Sequence, residues 1–96
     1  MSIDFSWDEK KNKSNLAKHR VSFEEAKSVF CDENARVMFD PDHSEAEERF
    51  IILGLSGLLN ILVVVHCYKK NNSEIRIISA RKATVNEKKQ YTGYLL

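Results

Sequence analysis

The chain reads as a small α+β fold, a mainly antiparallel sheet with helices packed on it, in the order β-α-α-β-β-β-β-α. Three observations lead there. The 96 residues, 43% of them apolar, suffice for one modest core and one domain spanning residues 1–96. Three capping signals, Asp8, Ser22 with Glu25, and Thr84 with Glu87, each precede a helix-forming stretch. Apolar, β-branched runs separated by short polar segments fill the second half, which implies strands joined as hairpins.

Ile3 to Trp7 alternates apolar and polar residues, as a short strand does. Asp8 caps a helix running to about His19, whose few apolar contacts are Leu16 and Ala17. Ser22 opens a second helix carrying Phe23, Ala26, Val29 and Phe30 on one stripe. Ala35 to Phe39 reads as a strand, ended by Pro41 and Asp42, and 40–45 as a polar loop. Glu48 to Leu55 and Ile61 to Tyr68 are long strands joined by a turn at 56–60. Both are apolar at successive positions, so both faces of the sheet are expected to be partly covered. Lys69 to Ser73 is a hairpin turn in which Asn71 and Asn72 can take left-handed backbone. Glu74 to Ala80 is the next strand, and Thr84 opens a last helix to about Tyr94.

No apolar run approaches the roughly 18 residues that span a bilayer. The amino-terminal segment lacks the pattern of a secretory signal. Cys31 and Cys67 sit among apolar neighbours without metal-ligand spacing and are expected to be buried free thiols. The expected location is the cytoplasm, with no membrane association. The net charge of +1 conceals a strong pattern: +2 over residues 1–20, −6 over 21–50 and +5 over 51–96. A fold that keeps these segments apart has one cationic face.

Arg76 and Arg81 could bind phosphate through paired donors and stabilise the charge that builds up on a reacting phosphorus. Each could equally serve as an ion-pairing strand residue. Their parity differs, so they share a face only if the strand ends or bulges near Ser79. His66 closes the run from Ile61 and is either a proton-transfer group or a buried imidazole bonded to a carbonyl. Glu47 and Glu48 are candidate partners, and Arg49 is a further candidate contact. His19, near a helix C-terminus, and His43, in the acidic loop, are weaker candidates. Tyr91 and Tyr94 could stack on bases or face the core, and Lys82, Lys88 and Lys89 could meet phosphates. Asp40, Asp42, His43 and Glu45 fit neither calcium-loop nor zinc spacing, so no metal and no cofactor are expected.

The motifs Trp7-Asp8, Lys11, Asn15, Lys18-His19, Val21, Phe23-Glu24-Glu25-Ala26, then 40–45 with Glu47-Glu48-Arg49, then 63–66, 76–81 and Ala83 resemble the BrnT family of bacterial toxins over nearly the whole chain. The resemblance implies a fold similar to RelE-type toxins and an endoribonuclease of a type II toxin–antitoxin pair. Joined to the ionisable groups at the strand ends, it leads to an expectation of metal-independent cleavage by ribose 2′-OH attack, with Arg76 and Arg81 on the phosphate, His66 moving protons with Glu48 or Glu47 as partner, and Arg49, Lys82 and Tyr91 holding RNA. The implied partner is a ribbon-helix-helix antitoxin like BrnA, in a heterotetramer that meets operator DNA only through the antitoxin. The alternative is an inactive binding module that acts as corepressor. One departure stands out: Arg20 occupies a position where the family usually has glycine, which would end the first helix in a left-handed turn.

Overall fold

The structure, a computed structural model, describes residues 3–41 and 47–93. Its elements follow the expected order: β1 (Asp4–Ser6), α1 (Glu9–His19), α2 (Phe23–Ser28) running into a 3₁₀ turn at Val29–Cys31, β2 (Arg36–Phe39), β3 (Phe50–Leu55), β4 (Ile61–Lys69), β5 (Glu74–Lys82) and α3 (Val85–Gly93). The five strands form one sheet in the order β1-β5-β4-β3-β2. Every pairing is antiparallel except that of β1 with β5.

The helix starts obey local chemistry. Asp8 accepts from the backbone N–H of Lys10 and Lys11, and Ser22 Oγ accepts from Glu25 N. The second box is only half formed, because the Glu25 carboxylate is drawn elsewhere. It accepts from Ser56 Oγ at 2.6 Å and Asn60 Nδ2 at 2.8 Å, which pins the β3–β4 turn to α2. Thr84 and Glu87 cap reciprocally at 2.8 and 3.2 Å.

Register assigns side chains to faces. Ile52, Leu62, Val64, Ile77 and Ala80 lie on the face packed by Phe23, Ala26 and Val29 of the helical segment. The opposite face carries Ile51, Leu53 and Val63, and α3 covers one end of it through Tyr91. Gly54 is required where β3 meets this packing, since a Cβ there would lie 2.8 Å from both Ala35 Cβ and Val29 Cγ1. The thiols differ from expectation: both are free, but only Cys67 is buried. Cys31 is exposed because Val29 takes the inward position of the 3₁₀ turn, with Phe30 packed beside it.

The β4–β5 turn takes left-handed backbone at Lys70, Asn71 and Asn72, one residue more than expected. Arg20 ends α1 in the left-handed conformation (φ 61°, ψ 27°), and its N–H donates to Leu16 O at 2.9 Å. The turn that glycine would make is therefore made by arginine, at a cost of about 1 kcal/mol for its Cβ. Arg20→Gly is expected to raise stability by about that amount and Tm by about 4–8 °C, read from a thermal melt. A lower Tm would show that the Arg20 side chain offsets the strain.

Candidate functional site

The β4–β5 register decides where the candidate residues go. Val65 pairs with Ser79 and His66 with Ile77, so Ile78 is an extra residue on β5, a bulge. Beyond it the parity of β5 is reversed. Arg76 pairs with Cys67 and Arg81 with Val63, and Val63 and Cys67 share the face away from α1 and α2. Both arginines therefore project from this open face, about 13 Å apart along the strand.

Asn15 holds α1 against this bulge. Its side chain donates to Ala80 O and accepts from Ala80 N, at 2.8 and 3.1 Å, and donates to Val21 O at 2.8 Å. β1 pairs only with Glu74 to Arg76, so the β5 edge at Ala80 is met by a side chain in place of a strand. One turn beyond Asn15, His19 lines a cleft of about 230 Å³ together with Asp40, Val65, Ser79 and Arg81.

Arg81 is oriented by α3. Its Nη1 and Nη2 donate to the two oxygens of Glu87 at 2.8 and 2.9 Å. Arg81 in turn holds the Glu87 carboxyl down at about 2. This end-on pairing leaves the Nε edge of the guanidinium unbonded among the described residues. Arg76 makes no ion pair among the described residues. Nearby, Glu47 accepts from Lys69 Nζ at 3.0 Å and lies 3.9 Å from Arg49 Nε, which is buried without a hydrogen-bond partner among the described residues. The Lys69 hydrogen bond lowers the Glu47 carboxyl, so it stays ionised. Cys67 lies beside this group, and burial pushes its thiol up, away from the thiolate.

His66 goes to the other face. It is fully buried, with Phe30, Phe50 and Tyr68 around it at 4.9, 6.2 and 5.2 Å between ring centroids. Burial lowers its pKa, so the ring is neutral at pH 7. Nδ1 lies 3.3 Å from Val64 O and Nε2 3.2 Å from Tyr68 Oη, which assigns the proton to Nδ1 and makes Nε2 the acceptor from the phenol. Glu48 is exposed and lines a depression with Phe50 and Tyr68, so it shares the side of His66 and not that of the arginines. The structure thus separates His66 and Glu48 from Arg76 and Arg81. The cause is parity: His66 aligns with Leu62 and Val64, which face the helices.

A profile of the family described as "Ribonuclease toxin, BrnT, of type II toxin-antitoxin system" matches residues 7–87. The chain belongs to the BrnT family. Among solved structures it is similar to the 1.1 Å crystal structure of the Brucella abortus ribonuclease toxin BrnT, with a TM-score of 0.65 and 25% identity over 86% of this chain and 99% of that one. No curated protein sequence matches it. Family membership makes this chain a ribonuclease toxin of a type II system, for which an antitoxin is the partner. No helix among the described residues is long and apolar enough to cross a membrane.

The remaining candidates of this BrnT-family chain divide the same way. Arg49 precedes Phe50 by one residue and so falls on the open face with Glu47 and Lys69. Lys82 pairs with Leu62 and lines a groove with Leu59 and Lys88, off that face. Tyr91 is buried; its hydroxyl donates to Asp32 at 2.7 Å and is pushed up to about 12. A ring committed to α3 packing is not presented for base stacking. Tyr94 and the acidic-loop residues Asp42, His43 and Glu45 lie outside the described residues. His19, a weaker candidate from sequence, stands near Ser79 and Arg81 where the Lys18-His19 pair ends α1.

Proposed function

We propose that this BrnT-family chain is a metal-independent endoribonuclease whose substrate lies across the open face of the sheet. The ribose 2′-OH attacks the adjacent phosphorus, leaving a 2′,3′-cyclic phosphate and a 5′-OH. Arg76 and Arg81 bind the phosphate and favour the transition state, where its charge is greatest. Arg49 and Lys69 extend the cationic strip along the strand ends. His66 holds the Phe30–Phe50–Tyr68 cluster together and stays out of the reaction. A BrnA-like ribbon-helix-helix antitoxin neutralises the toxin in a heterotetramer in the cytoplasm, and operator DNA is met through the antitoxin alone.

The observation that supports this reading is the bulge at Ile78, which turns two arginines of opposite parity onto one face of a family ribonuclease. Purified protein should cut RNA in EDTA and leave a cyclic phosphate end. An otherwise identical strand with 2′-deoxyribose at the cut position should stay intact. Cleavage of that deoxy strand would refute the mechanism, and dependence on an added divalent ion would refute its metal independence.

A further inference from the structure

We propose that His19 is the general acid of RNA cleavage, delivering a proton to the departing 5′-oxygen from the α1 side of the open face. The inference rests on the ribonuclease reading above and assigns the proton-transfer role that His66, sealed beneath the sheet, cannot fill. Three observations place His19 there. First, Ser79 lies between Arg76 and Arg81 in the order of open-face positions on β5, because Ile78 is the bulged residue. A phosphodiester gripped by both arginines therefore lies over Ser79. Second, His19 and Ser79 together line two clefts, of about 230 and 220 Å³. Third, the end of α1 is held against the β5 edge next to Ser79 by the buried Asn15 side chain, which grips both backbone groups of Ala80.

The charged groups around the ring come from every neighbouring element. Arg81 projects from β5, Asp40 follows β2, and Lys11 and Lys18 lie on α1 itself. The lysines meet the RNA backbone on the helix side, so the strand is flanked by cations on both sides. In the reaction the 2′-oxygen forms a bond to phosphorus and its proton passes to water. The bond from phosphorus to the 5′-oxygen breaks, and that oxygen takes the electron pair together with a ring proton of the His19 imidazolium. The products are the cyclic phosphate, the 5′-OH and a neutral imidazole that regains its proton from solvent.

The test uses the full chain and an RNA in which the bond cut by the wild type is first mapped. That bond is then rebuilt with sulfur in place of the bridging 5′-oxygen, a leaving group that needs no proton. His19→Ala and His19→Gln should cut the natural RNA about 10²–10⁴-fold more slowly. Both should cut the sulfur-bridged RNA within about tenfold of wild type and bind RNA with little change in Kd. A circular-dichroism melt confirms that both variants are folded. Natural RNA cut at the wild-type rate by either variant would overturn the proposal. So would a slowing on the sulfur-bridged strand equal to that on the natural one. A wild-type chain that leaves RNA intact would instead remove the ribonuclease reading, and this inference with it.

Discussion

Arg76→Ala is expected to lower the rate of RNA cleavage by about 10²–10³-fold, the loss typical of removing one preorganised charge-stabilising donor. It should leave stability within about 0.5 kcal/mol of wild type. The second expectation follows from what Arg76 lacks. It has no carboxylate partner within ion-pair distance among the described residues, so its removal leaves no buried charge behind. Arg81→Ala gives a less clean result, because it strips the bidentate partner from Glu87 and loosens the start of α3 as well as the phosphate site. Arg76→Lys keeps the charge but loses the planar fork and should recover only part of the rate. Initial rates on a defined RNA, measured beside a thermal melt, check all three. An Arg76→Ala protein that cuts at the wild-type rate would move the reaction off the open face.

Features set by neighbours in the chain could be read directly. Asp8, Ser22 and Thr84 each sit one residue before a helix and cap it, because a cap needs only a side-chain oxygen two or three residues from an unpaired N–H. The Asn71-Asn72 turn followed for the same reason. Features set by pairing could not be read. The parity conflict between Arg76 and Arg81 was visible, but its resolution depends on β4 advancing one residue while β5 advances two. Whether His66 is sealed or presented depended on which of two apolar faces the helices cover, and apolar residues at successive positions hide that choice. Glu25 shows a third limit: its spacing from Ser22 predicts a reciprocal cap, yet tertiary donors at Ser56 and Asn60 claim the carboxylate.

The largest effect on stability is expected from Asn15, a residue that hydrophobic patterning does not single out. Its amide uses both N–H donors and one acceptor site on backbone groups of Val21 and Ala80. Asn15→Ala leaves two carbonyls and one N–H without partners at a position that is 7% exposed. Each unsatisfied buried group costs about 1–3 kcal/mol, and partial entry of water at the β5 edge lowers the total to about 2–4 kcal/mol. That is a large share of the roughly 5–15 kcal/mol that holds a domain folded. Asn15→Asp should be no better, since a carboxylate can serve Ala80 N but faces two carbonyl oxygens with no proton to offer. A urea titration should show a lower midpoint with an unchanged slope for both variants. Activity should fall further than the folded fraction does, because His19 is carried on the next turn of the same helix and loses its anchor to β5. If Asn15→Ala unfolds within about 0.5 kcal/mol of wild type, water replaces the amide at no cost and the grip on Ala80 does not position α1.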